Sequence, residues 1–375
     1  MSGPPATGAW RPGDDPGRRR FARLFAGTGL GLEAGGRLGE VEVAFETWGR
    51  LDAARDNAVL VLHALTGDSH VAGAAGPGHP SPGWWPGVVG PGAAIDTDRF
   101  FVVCPNVLGG CQGTTGPASP DQGGRPWGAR FPIITIRDQV AVEMALADAL
   151  GIERWAAVVG GSMGGMRALE WSVGAPHRVA RAVVVAVGPV ATAEQIALCS
   201  LQVRAIRADP AFAGGDYYGA AEGPAVGMAI ARGIGQLSYR SAGELDVRFG
   251  RASQGAEQPL KGGRYAIESY LEHHGDTLVH RFDANSYVVL SEAMNHHDVG
   301  RGRGGVARAL ARVTADVTVV GISSDRLYPL GLQHELAALV PGRPEVQVIE
   351  SMVGHDGFLV EHEAVGVAIA GALAR

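Results

Sequence analysis

Apolar residues in the first third of the chain come in short runs divided by turn formers. "VEVAFETWG" (Val41–Gly49), "NAVLVLHA" (Asn57–Ala64) and "RFFVVCPN" (Arg99–Asn106) are β-rich stretches of this kind. Leu60, Val61 and Leu62 follow one another without a polar break, which predicts a strand covered on both faces, as in a parallel sheet. Between the second and third runs, the Gly/Pro/Trp-rich stretch Gly73–Gly92 reads as a long surface loop. The period changes at Thr135. Thr135 and Asp138 form a capping pattern, and Ile136, Val140, Met144 and Ala147 recur behind it at helical spacing. Further strands are expected at Trp155–Val159, Val179–Val187, Asp316–Gly321 and Glu345–Glu350, and an Ala/Val/Leu helix from about Phe358.

Strand–helix alternation of this kind predicts a mostly parallel sheet with helices on both faces. The rhythm breaks between Ala191 and about Gly305, where "ATAEQIALCSLQVRAIRAD" and "GPAVGMAIARGIGQL" are helical and no strand stands out. We therefore expect residues 1–190 and 306–375 to build one α/β domain, with 191–305 inserted as a helical cap. The segment 1–37 begins "MSGPPATGAWRPGDDPGRRRF" and has Gly, Pro and Arg where a signal peptide needs an apolar core. It reads as a flexible leader, with a cytoplasmic location expected.

Composition narrows the function classes. A formal charge of −6 gives no case for nucleic acid or for an anionic membrane surface. The most apolar run, Ala182–Pro189, is too short to span a bilayer. Three scattered cysteines (Cys104, Cys111, Cys199) do not make a disulfide framework, which fits a reducing compartment.

The chemistry concentrates at Gly160-Gly161-Ser162-Met163-Gly164, a G-x-S-x-G pentapeptide. With 57 glycines in 375 residues the pattern alone is weak. Its context is stronger: a buried-type strand ends at Val159 and a helix begins at Met163, as a nucleophile elbow requires. A serine hydroxyl needs a base oriented by an acid. In such sheets these follow in the order Ser, Asp or Glu, His, past the ends of later strands. Asp325 follows "DVTVVG" and His355 follows "EVQVIE". Asp356 is a rival acid, but sequence neighbours rarely face each other. The pairs His273/His274 and His296/His297 do not share a helix face, so no metal is expected. Two backbone N–H groups should form an oxyanion hole. Met163 follows the nucleophile, and Leu65 lies in the early loop "LHALTGDSH".

"HALTGDSH", "GWWPGVVGPGAAIDTDRFFVVCPNVLGGCQGTTGP", "GGSMGGMRALEW", "RFDANSY" and "NHHDVGRGRGG" together resemble the homoserine O-acetyltransferase family, whose fold is the α/β-hydrolase fold. The resemblance runs from about Leu38 to the C-terminus. It implies transfer of an acetyl group from acetyl-CoA, a co-substrate rather than a bound cofactor, to the side-chain hydroxyl of L-homoserine. It also implies a ping-pong route through acetyl-Ser162, a place in methionine synthesis, and a homodimer built on the cap. The family's nucleophile, acid and base fall on Ser162, Asp325 and His355. Its substrate-binding arginine falls on Arg232, with Tyr239 and Asp356 as partners of the amino acid.

Other readings stay open at this point. They are an esterase or thioesterase using the same triad, a non-catalytic binding protein, and a transferase of succinyl groups or one acting on serine. The segments expected at the acyl site, "HALTGDSH" and "GGCQGTTGP", hold no Lys or Arg to pair a succinyl carboxylate, and Asp68 would oppose one if it faced the pocket.

Overall fold

The computed structural model describes residues 5–375. Eight strands form the main sheet: β1 (Arg20–Leu24), β2 (Val41–Trp48), β3 (Ala58–Leu62), β4 (Phe101–Pro105), β5 (Ala157–Gly161), β6 (Arg181–Val185), β7 (Asp316–Ile322) and β8 (Gln347–Ile349). Their spatial order is β1-β2-β4-β3-β5-β6-β7-β8. The β1–β2 and β2–β4 pairs are antiparallel, and every later pair is parallel.

Alternation along each strand assigns its residues to two cores. Leu60, Leu62, Val158, Val184 and Val319 face one side, where they meet α1 (Ile136–Leu150), α2 (Met163–Gly174) and α9 (Leu330–Leu339). Val59, Val61, Val159, Val183, Val185 and Val320 face the other, against α11 (His362–Ala374). An uninterrupted apolar strand is the sequence form of that double burial. The expected start of α1 is present as a full capping box: Asp138 N–H donates to Thr135 Oγ1, and Thr135 N–H donates to Asp138 Oδ2 at 2.8 Å. Gly151, at φ 69°, ends that helix in the left-handed conformation.

Between β6 and β7 the chain forms α3 (Ala193–Ala208), α4 (Ala225–Tyr239), α5 (Ala242–Arg248), α6 (Ala266–Arg281), α7 (Ala284–Asn295) and α8 (Val306–Leu310). Helix α3 packs on α4 and α7, and α4 packs on α6. Asp283 caps α7 from a fully buried position. Its carboxylate accepts hydrogen bonds from the hydroxyls of Thr7, Tyr217 and Tyr218 and from Ser286 N–H, at 2.8–3.0 Å.

Two sequence expectations are corrected here. The leader is not loose over its described part, although residues 1–4 lie outside the described residues. Arg20–Leu24 pairs residue for residue with Phe45–Val41 as the sheet's antiparallel edge. An edge strand tolerates charged, solvent-facing positions, so "RFARL" escapes a reading based on hydrophobic runs. Farther back, Gly8 N–H bonds Phe282 O and Trp10 N–H bonds Cys111 O. The stretch Gly73–Gly92 is exposed over much of its length, but it is more than a surface loop, because Trp85 and Val88 are fully buried and join the core on the α11 side. Trp85 Nε1–H also donates to Phe358 O at 3.0 Å. Smaller shifts affect ends: the last strand is only Gln347–Ile349, and the terminal helix is split at Glu361 into α10 (Gly357–Val360) and α11.

Emptying the Trp85 site tests this correction. Trp85→Ala should cost about 3–5 kcal/mol, the usual range for a fully buried aromatic, and lower the urea midpoint with little change in slope. An unchanged midpoint would put the indole on the surface.

Candidate active site

Three chain segments converge on one cavity. Ser162 stands between the end of β5 and the first turn of α2, at φ 56° and ψ −125°. A β-carbon makes this left-handed conformation strained, and close packing holds it in place. A β-carbon on Gly160 would lie 2.3 Å from Gly164 O, and one on Gly164 would lie 2.0 Å from Leu62 O. Glycine is therefore the residue that lets strand, turn and helix meet so closely. Ser162 N–H is tied to Val185 O at 3.0 Å.

His355 and Asp325 arrive on loops after β8 and β7. His355 Nε2 lies 2.9 Å from Ser162 Oγ, and its Nδ1 lies 2.6 Å from Asp325 Oδ2. The second carboxylate oxygen of Asp325 accepts N–H bonds from Leu327 and Tyr328, both at 2.8 Å. Tyr328 also stacks on the imidazole, with centroids 5.0 Å apart. All three residues are buried. Burial disfavours the charged ring, yet the charge and hydrogen bond of Asp325, helped by Asp356, outweigh it and raise the His355 pKa above its ordinary value.

Arg232, Tyr239, Asp356 and Leu65 line the same cavity as Ser162 and His355. The Arg232 guanidinium makes no hydrogen bond or ion pair with a described residue and sits over the Tyr239 ring, 5.5 Å from its centroid. Asp356 does not bond His355. Its Oδ2 lies 3.4 Å from Arg240 Nε, and its N–H donates to Tyr239 O. Burial raises its pKa, against the pull of Arg240, His355 and Arg232. The N–H groups of Leu65 and Met163 have no acceptor among the described residues. Cys199 also lines the cavity, its thiol pushed up to about 12 by burial and so protonated at neutral pH.

Other expectations fare differently. "GGCQGTTGP" contributes no residue to this cavity. Gln112 turns toward Arg19 and the Arg281 carbonyl, which draws that segment to the N-terminal arm. Asp68 is outside the lining too, and one of its oxygens accepts His70 N–H at 2.8 Å. Meanwhile Arg281, which spacing did not single out, reaches the "HALTGDSH" loop from α6 and donates to Thr66 O at 2.8 Å. Arg240 and Tyr328 were missed as well. An arginine at a helix end and a tyrosine in a loop carry no local signal of what they will touch.

The paired histidines do not gather. His274 packs edge-on against Tyr270, and His297 bonds Gly188 O. Glu46, His70 and His79 do bring three donor atoms together. However, the two imidazoles stack at 3.9 Å with planes 11° apart. A ligated ion lies in the plane of each ring, and parallel stacked rings have no such shared point. The cluster is a hydrogen-bonded one, with His70 Nδ1 3.0 Å from Glu46 Oε2 and Ser69 Oγ donating to Oε1 at 2.8 Å.

The chain matches the alpha/beta hydrolase fold family over residues 57–362. It is 61% identical over 372 residues to the homoserine O-acetyltransferase of Thermobifida fusca (strain YX), covering 99% of this chain and 98% of that one. Among solved structures, homoserine O-acetyltransferase from Bacillus anthracis superposes with a TM-score of 0.87 at 27% identity, covering 95% and 97% of the two chains. Esterase E22 superposes with a TM-score of 0.85, also at 27% identity, covering 95% and 99%.

A base must be neutral to accept a proton, and a raised pKa moves the loss of its proton to higher pH. The acid limb of kcat/KM for the acyl donor should therefore have its midpoint above the ordinary histidine value of about 6.5. A midpoint at or below that value in a pH–rate profile would contradict the Asp325–His355 coupling.

Proposed function

This chain belongs to the homoserine O-acetyltransferase family of the alpha/beta hydrolase fold, and from that premise we propose that it moves an acetyl group from acetyl-CoA to L-homoserine in two steps through acetyl-Ser162. The observation that carries the reading is that the Ser162–His355–Asp325 hydrogen-bonded chain opens into one cavity with Arg232 and Asp356. In the first step Ser162 Oγ attacks the thioester carbonyl while His355 Nε2 takes the hydroxyl proton. The tetrahedral oxyanion accepts the free N–H groups of Leu65 and Met163. Its collapse expels the CoA thiolate, which takes the proton from His355. In the second step the homoserine hydroxyl gives its proton to His355 and attacks the acetyl-serine carbonyl. The same proton returns to Ser162 Oγ as it leaves.

An amino-acid acceptor suits the polar side of the cavity. Arg232 has a free guanidinium fork for a carboxylate, and Asp356 supplies a negative charge for the ammonium group. The likeness to esterase E22 favours a second reading, hydrolysis of the acyl-serine by water. The presence of both Arg232 and Asp356 in the cavity weighs against it, because water needs neither charge. Each step as proposed uses only the chain's own groups and the two co-substrates. We further propose acetyl rather than succinyl transfer, on the overall wording of the motifs, although Arg281 puts a cation nearer the acyl loop than the sequence suggested. The product would enter methionine synthesis, and we place the reaction in the cytoplasm.

We also propose a homodimer through the cap. Val226, Ile230 and Leu237 are exposed at i, i+4 and i+11 on one face of α4, with Ile196 and Leu201 exposed on the neighbouring α3. Ile230→Arg should convert a dimer into a monomer by light scattering. A monomeric parent at tens of micromolar would remove this proposal.

The half-reactions test the main reading. With acetyl-CoA alone, intact mass should rise by one acetyl group, and Ser162→Ala should abolish the rise. Arg232→Lys keeps the charge but loses the fork, so it should still acetylate while transfer to homoserine falls at least tenfold. Succinyl-CoA should load Ser162 at least tenfold more slowly. Equal thioester hydrolysis with and without homoserine would instead establish the esterase.

A further inference from the structure

The loop that carries Leu65 is braced by buried polar groups which the scheme above does not use. His63, the residue after β3, is buried, and its backbone carbonyl accepts a hydrogen bond from Arg167 Nη2 at 2.5 Å. Arg167 is itself wholly buried on α2, five residues beyond Ser162, and its Nη1 pairs with Glu143 Oε1 of α1 at 2.7 Å. The second Glu143 oxygen accepts Trp171 Nε1–H at 2.8 Å. A charged residue buried to this degree is held by its partners, so the His63 carbonyl has a fixed position.

The side chain of His63 has a defined tautomer. Val107 N–H can only donate, and it meets His63 Nε2 at 3.1 Å, so that nitrogen carries no proton. The ring proton is on Nδ1, which donates to Ala64 O at 2.7 Å. Gly67 N–H donates to the same oxygen at 3.0 Å. Burial, reinforced by the charge of Arg167, pushes the His63 pKa down to about 3, which keeps the ring neutral. Ala64 O and Leu65 N–H belong to one peptide group. Two donors on its carbonyl hold its plane still and polarise its N–H.

We propose that His63 is a positioning residue for acyl transfer: as a neutral, Nδ1-protonated ring it orients the Ala64–Leu65 peptide and strengthens Leu65 N–H as a donor to the tetrahedral oxyanion. This rests on the reading of Leu65 as an oxyanion donor. Both half-reactions pass through a tetrahedral species at Ser162, so both depend on His63 equally. Arg167 supports it from behind by fixing the preceding carbonyl.

Two substitutions separate this from a packing role. In His63→Asn the amide nitrogen replaces Nδ1 as donor to Ala64 O, whereas His63→Leu fills space without a donor. His63→Leu should lose on the order of 10²-fold in the rates of serine acetylation and of transfer to homoserine, toward the range for loss of an oxyanion donor. The KM for homoserine should change less than threefold, and His63→Asn should recover at least a tenth of the parent rates. Equal activity of the two variants at matched thermal stability, or loss in one half-reaction only, would overturn the proposal. A parent that never forms acetyl-Ser162 would instead remove the reading on which it rests. Should His63→Leu fail to fold, histidine ¹⁵N spectra of the parent still decide. They should contain one neutral ring protonated on Nδ1 down to pH 5 that is absent in His63→Asn, and loss of an Nε2-protonated ring in that variant instead would overturn the proposal.

Discussion

Helix α2 leaves the sheet so close to the end of β3 that any side chain on Gly164 would collide with the Leu62 carbonyl. That contact sets where everything else at the centre stands. It forces the turn at Ser162 into its left-handed conformation and brings the free N–H of Met163 beside the loop that starts at His63. Glycine at 160 and 164 is unfavourable for an isolated strand or helix, by up to about 1 kcal/mol each. The surrounding sheet offsets this, because β3, β5 and β6 are buried on both faces. A strained serine thus sits at the end of a doubly buried strand, where strain persists because its neighbours leave it no room to relax.

Around this step the loops are held by polar groups as well as by apolar packing. Asp325 spends one oxygen on two backbone N–H groups and the other on His355. Asp283 ties the cap to the N-terminal arm through Thr7. Buried charges add little net stability compared with apolar groups of the same size. Their directional bonds do something that packing does not, which is to set the angle of a carbonyl or an imidazole. That is what a site needs when the reacting atoms must meet within a few tenths of an ångström.

The sequence makes the sheet and the turn at Ser162 legible because both are local. A run such as Leu60–Leu62 carries its burial in its own composition, and Ser162 announces its turn through adjacent glycines. Asp325 and His355 were reachable because topology fixes where loops after β7 and β8 must lie. Arg281, Arg240 and Tyr328 were not, since each acts on a residue far away in the chain. The misreadings have a common cause. Gly/Pro content marks irregular backbone but says nothing of whether a side chain within it, such as Trp85, is buried. Charge at Arg20 and Arg23, both exposed, hides an edge strand.

The insertion of the cap between β6 and β7 separates the parts of the site along the chain. Ser162 precedes the whole insertion, and its hydrogen-bonding partner His355 follows it, 193 residues later. During synthesis the strained serine emerges long before the imidazole that would activate it. Until that imidazole is in place, the Ser162 hydroxyl lacks the base that would activate it. The Ser162–His355 hydrogen bond comes into being only with tertiary closure, so the arrangement is made by completion of the fold itself.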